Sequence, residues 1–302
     1  MNIEIINQVL VLFSIMIVGY YARKRNIIYD EINKGLTQIL LRITLPMLIV
    51  SSFNFTYSPE LMGDMAVVFL ASFFIFIVLI IINKVLFLKF ENDKKAVLKF
   101  MTVFSNAGFI GFPILLSVYG KIGVLYGAIF NINFNLFIWT YGLSLYTGEK
   151  GLKNIKGLII NPGILAVIIG VVRVAFSIPV PSVIQGTLEM VGNMTTPISM
   201  IIIGAMLTEV KVKDIVKDLS LYYAIIIKLG VVPFITMIIM RILSIDPIIA
   251  NTIIILEAMP TGTLCAIFAE NTNNAPEYAS KVVFITTLFS VITIPLWLTV
   301  LS

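Results

Sequence analysis

The sequence predicts an all-α polytopic membrane protein with ten transmembrane helices arranged as two inverted five-helix repeats. Three observations carry this reading. Of its 302 residues, 59% are hydrophobic and 12% charged, with a mean hydropathy of +1.03, whereas a soluble domain is about a quarter charged. Apolar segments of the ~20 residues that a bilayer crossing needs recur along the chain. Two of them, one in each half, are broken near the middle by Gly, Pro and small polar residues. Lipid cannot satisfy the backbone groups such a break frees, so breaks survive only where protein or a wet cavity does.

The spans follow in order. The first, 5–22, ends at Arg23-Lys24-Arg25; a signal peptide would carry its basic run before the apolar stretch. The second, 36–54, contains Pro46, and the third, 63–87, is closed by the polar KFENDKK loop. The fourth, 98–118 (LKFMTVFSNAGFIGFPILLSV), is the first broken span, and the fifth, 124–146, carries IFNINFNLF. A short polar linker at 148–157 leads to the sixth span, 158–176, which opens on Asn161-Pro162-Gly163. The seventh, 184–207, contains Pro197, and the eighth, 220–243, contains Lys228. The second broken span is the ninth, 248–269 (IIANTIIILEAMPTGTLCAIFA), and the tenth runs over 281–301. The chain thus divides into a first repeat at 1–147, the linker, and a second repeat at 158–302, with no room for a soluble domain.

Loop charge sets the orientation. Alternate loops hold seventeen basic residues against three (Lys121, Arg173 and Arg241), with Lys228 inside a span completing the 21. By the positive-inside rule the basic loops are cytoplasmic and both termini face outward. The halves echo each other: Gly19 and Gly170 are 151 residues apart, as are Pro46 and Pro197, and Pro113 and Pro260 are 147 apart. Five spans per half is an odd number, so the second half inserts upside down. Paired broken helices in inverted repeats point to a transporter site near the bilayer midplane.

Composition also excludes. The net charge of +5 lies in short loops beside apolar spans and does not argue for nucleic acid. A single Cys265 and no His leave no disulfide framework and no His-ligated metal or haem, so no metal or cofactor is expected. An intramembrane enzyme would need HExxH, paired aspartates or a Ser–His pair, and GxxxxGK[ST] is absent, which argues against a built-in ATPase.

The candidate residues cluster at the breaks. In Ser105-Asn106-Ala107-Gly108-Phe109-Ile110-Gly111-Phe112-Pro113, Pro113 removes a donor and clashes with the preceding turn. Gly108 and Gly111 permit an unwound path and close approach, and Asn106 offers both donors and acceptors. Pro260-Thr261-Gly262-Thr263 plays the same part in the ninth span, with hydroxyls in place of the amide. If the breaks cross, half-helix N-termini turn positive dipole ends into the cavity and favour an anion. Asn131 and Asn135 share a helix face while Asn133 points elsewhere; they serve a cavity or interhelical hydrogen bonds. Lys228 and Glu257, charged at membrane depth, each need water or a partner, since a lone charge there costs at least about 2.5–3.5 kcal/mol. A Lys228–Glu257 pair is the simplest arrangement, either structural or one in which Glu257 takes up a proton or helps hold a cation.

NAGFIGFP and EAMPTG, with LPMLIVSSF, Asn161-Pro162-Gly163 and KLGVVP, occur in an order that resembles the auxin efflux carrier family, which includes the plant auxin exporters and bacterial relatives. The resemblance runs from end to end. It departs from the family at Glu257, where a Gln is usual, and in the short middle loop, so regulation through a long loop does not carry over. It implies crossed broken helices 4 and 9, a bile-acid/sodium symporter-like and NhaA-like fold, and a scaffold of spans 1, 2, 6 and 7 often used for homodimerisation. It also implies elevator-type transport of a small organic anion, with Ser51 or Ser52, Asn106 and Asn135 around the substrate. The alternatives are a proton- or sodium-coupled dicarboxylate permease, a non-transporting membrane sensor, or a channel. The expected setting is a plasma membrane, and the Ile/Lys/Asn-rich composition suits a prokaryotic one.

Overall fold

The structure, a computed structural model, describes residues 3–88, 90–148, 161–208 and 218–301. Among these residues there is no strand, only helices joined by short turns. They are α1 (Ile3–Lys24), α2 (Asp30–Ser52), α3 (Pro59–Leu86), α4 (Asn92–Val103), α5 (Ala107–Thr147) and α6 (Pro162–Ala175). There follow α7 (Ser182–Met206), α8 (Leu219–Ile242), α9 (Pro247–Ala258), α10 (Leu264–Asn271) and α11 (Pro276–Leu301). Six of them, α2, α3, α5, α7, α8 and α11, are long and apolar enough to cross a membrane, and α6 and α9 are shorter apolar helices. The chain is therefore a polytopic, all-helical membrane protein. Most of the 148–157 linker lies outside the described residues.

Local sequence explains where these helices start and deform. Asn161-Pro162 and Asp246-Pro247 are the same device: the polar side chain accepts two backbone N–H groups (2.9 and 3.4 Å in each case), and Pro occupies the first turn, where no donor is needed. Wide π-helical turns at Leu40–Thr44, Ala107–Gly111 and Ile226–Val231 each end two residues before a proline, Pro46, Pro113 or Pro233. A proline removes one donor and crowds the preceding turn, and local widening accommodates both effects. Inside α5, Gly120 (φ 60, ψ −145) marks the connection that the sequence places between its fourth and fifth spans.

The described chain packs as two compact units that interleave the sequence halves. One comprises Met1–Val68, Gly108–Ile132 and Ile159–Glu209. Its centre is the contact of α1 with α7, made backbone to backbone. A side chain on Gly204 would begin 1.9 Å from the Met16 carbonyl oxygen, and one on Gly19 would begin 2.2 Å from that of Ile201. Small residues provide this approach where lipid supplies no hydrophobic drive between helices. At one edge of the unit, Arg173 donates to Asn54 and Gln185, and Lys121 pairs with Glu189.

The second unit comprises Phe69–Ala107, Asn133–Leu158 and Val210–Ser302. Phe76, Phe100, Phe104, Phe134, Phe137 and Phe268 pack ring on ring with centroids 4.7–6.4 Å apart. Such contacts add to the burial of their area and make a stiff wall behind α4. Tyr141 and Trp297, which sequence position suggests as interface anchors, are half-buried and hydrogen-bond within this unit. Tyr141 accepts a hydrogen bond from Asn83, and Trp297 Nε1 donates to the Leu229 carbonyl at 2.7 Å. Leu229 lies in the π-helical turn that precedes Pro233.

Candidate functional site at the helix crossing

The two breaks meet in the second unit. α4 stops at Val103, and Phe104 is extended (φ −115, ψ 103); α9 stops at Ala258, and Met259 is extended (φ −66, ψ 151). The unwound segments pair as a single antiparallel bridge between Ser105 and Thr261. The Asn106 N–H donates to the Pro260 carbonyl at 2.7 Å, and the Gly262 N–H donates to the Phe104 carbonyl at 3.0 Å. Each break thus supplies the hydrogen bonds that lipid withholds from the other. Gly262 keeps this approach close, since a Cβ there would begin 3.2 Å from the Ser105 carbonyl oxygen, a tight contact. Gly108, expected to serve the same purpose, has nothing within 4 Å of such a position.

Beside the bridge sits a fully buried charge cluster. Lys228, in the π-helical turn of α8, and Glu257, in the last turn of α9, are both 0% exposed. Their closest atoms, Nζ and Oε2, are 3.7 Å apart. The hydrogen-bonded link is Ser105: Lys228 Nζ donates to its Oγ at 2.9 Å, and Oγ donates to Glu257 Oε2 at 3.1 Å. Mutual neutralisation is what makes two charges tolerable at such depth. Glu257 Oε1 and Thr261 Oγ1 are buried and have no hydrogen-bond partner among the described residues.

Sequence reasoning passed over Ser105 in favour of Asn106. Its signal was its neighbourhood: a hydroxyl next to a break, in a chain with Lys and Glu at matching depth. In an extended segment successive side chains point to opposite sides, so Ser105 facing the charges turns Asn106 the other way. Asn106 is 4% exposed and Asn135 is 6% exposed, and both belong to this unit. Thr263, half-buried, occupies the N-cap position of α10 without making a capping bond.

Other expected site residues are engaged differently. Asn133, not Asn131, is the fully buried amide of the fifth span, and its Nδ2 donates to the Phe69 carbonyl and to Ser72 Oγ at 2.7 and 2.8 Å. Asn131 lies in the first unit, with Nδ2 3.7 Å from where a side chain on Gly163 would begin. Ser51 and Ser52, also in the first unit, donate to the carbonyl of Leu48 in their own helix at 2.9 and 2.7 Å. Gly111 and Pro113 lie in that unit as well. Among the described residues, no group of three or more His, Cys, Asp or Glu could hold a metal.

Comparison with known proteins agrees with this architecture. An uncharacterized transporter of Methanocaldococcus jannaschii is 24% identical over 304 residues, covering 96% of each chain. An uncharacterized transporter of Methanothermobacter thermautotrophicus is 23% identical over 301 residues, covering 97% of each. The family described as Membrane transport protein matches residues 4–298. The chain therefore belongs to that family, the auxin efflux carriers, and is a membrane transporter.

Proposed function

We propose that this protein carries a small organic anion, an aromatic or aliphatic carboxylate, by an elevator-type movement of its crossed broken helices. The observation that carries the reading is the Ser105–Thr261 bridge with a buried, neutralised charge cluster beside it. Irregular backbone at membrane depth is tolerated only where protein buries it or where it lines a wet cavity, and a transport site supplies both. α10 begins just after the crossing, and the N-cap hydroxyl of Thr263, which makes no capping bond at the positive end of this helix, suits a carboxylate. Asn106, Asn135, Thr261 and Thr263 are the substrate groups of the second unit, and Ser51, Ser52 and Asn131 those of the first. Gly108, Gly111, Pro113, Pro260 and Gly262 form the hinges. The reading includes ten spans in two inverted repeats, a homodimer, and a plasma-membrane setting with both termini outside.

The test is solid-supported-membrane electrophysiology on purified protein in liposomes, with a panel of aromatic and aliphatic carboxylates. A substrate-evoked current that Asn106→Ala abolishes is the expected result. Silence across the panel, with the fold intact and no binding by thermal shift, refutes the organic-anion reading. A second reading, a proton- or sodium-coupled dicarboxylate permease, is favoured by the unpartnered, fully buried Glu257 Oε1. Coupling predicts that Glu257→Gln removes the dependence of transport on pH or sodium, and an unchanged dependence eliminates it.

A further inference from the structure

The three basic residues of the sparsely charged loop set differ in their surroundings. Within the first unit, Lys121 is paired with Glu189, and Arg173 is committed to Asn54 and Gln185. Arg241, in the second unit, has no ion pair and no side-chain hydrogen bond with any described residue, and it is exposed. It stands at the rim of a cavity of about 290 Å³, formed where α8 ends, α9 begins and α11 finishes. The walls are mainly apolar, from Met237, Met240, Ile254, Val300 and Leu301, while Ser244 and Asn251 add polar atoms near the rim.

The position of this cavity narrows its occupant. It lies at the ends of α8, α9 and α11, where the spans read from the sequence reach the edge of the hydrocarbon. Beside the rim, Ile242, Leu243, Leu296 and Val300 are 75%, 47%, 59% and 55% exposed, an apolar surface continuous with the mouth. A soluble anion would use the cation and leave that surface unused. An anionic amphiphile uses both, with its phosphate on Arg241 and Ser244 and its chains along the exposed residues. Asp246 makes no ion pair with Arg241 among the described residues; its Oδ1 accepts the N–H groups of Ile248 and Ile249.

We infer that the cavity at Arg241 is a binding site for the headgroup of an anionic phospholipid. The lipid would brace the α8–α9 turn, where Ser244 is held at φ 50 and Asp246 caps α9.

The test is native mass spectrometry of the full chain, delipidated in detergent and titrated with dioleoyl phosphatidylglycerol or dioleoyl phosphatidylcholine. Phosphatidylglycerol is expected to be retained preferentially, and Arg241→Gln to lower its retention about tenfold, the effect of losing one charge-assisted hydrogen bond. Val300→Trp, which fills the mouth from an exposed position, is expected to lower retention of the same lipid with Arg241 intact. Equal retention of the two lipids, or wild-type retention by either variant, overturns the inference. Displacement of the lipid by millimolar glycerol 3-phosphate also overturns it, since the site would then be one for a free anion.

Discussion

Removing one member of the Lys228–Glu257 pair is expected to damage the protein far more than removing both. In Lys228→Met the apolar replacement fits the volume, but Glu257 is left fully buried with Ser105 as its one hydrogen-bond donor. Breaking a buried pair from one side costs about 3–5 kcal/mol. The structure places this case at the upper end, since Glu257 Oε1 already has no partner and both residues are 0% exposed. The double variant Lys228→Met/Glu257→Gln leaves no net charge to strand and retains an amide for Ser105 to contact, so most of the loss returns. Replacing a whole buried pair by neutral groups is often neutral or stabilising. The assay is thermal unfolding in a fixed detergent, completed as a double-mutant cycle with Glu257→Gln alone. If the loss in the double variant equals the sum of the losses in the two single variants, the two residues do not interact and the cluster is misread.

Trp297→Phe keeps the ring but removes the donor to the Leu229 carbonyl. It is expected to cost about 1–3 kcal/mol and to alter transport, because the π-helical turn that Leu229 stabilises also carries Lys228. Melting temperature and current amplitude check this together. At the start of α8, burial raises the Asp218 carboxyl, but hydrogen bonds from Ser220 and Lys94 outweigh it and hold its pKa below the usual 3.8. A group lowered on folding stabilises above its unfolded value and loses that contribution as pH falls through the folded one. Stability is therefore expected to fall below about pH 4, and Asp218→Ala, also losing the cap to Ser220 N–H, to cost about 1 kcal/mol at pH 7. Melts at pH 7 and pH 3 test it: the difference between wild type and variant must shrink at the lower pH.

Membership of the helical membrane class, the two breaks and the family all follow from the sequence, because each rests on local composition. A break announces itself through Pro260 or Gly108 whatever surrounds it, and a bilayer punishes any apolar stretch of the wrong length. Asn161 and Asp246 likewise announce helix starts through their own prolines. Partnership is different, since it depends on residues 61 to 152 positions apart. That Ser105, and not its neighbour Asn106, links Lys228 to Glu257 was decided by the extended turn of two crossing segments, which alternates side chains between two faces. That Asn133 is the most buried amide of its span follows from its reach to Phe69 and Ser72, which helical spacing within one span does not encode. Trp297 looks like an interface residue by position and is a hydrogen-bond donor to the Leu229 carbonyl by packing. Periodicity and breakers are written along the chain, whereas the pairing of buried polar groups exists only once the helices have met.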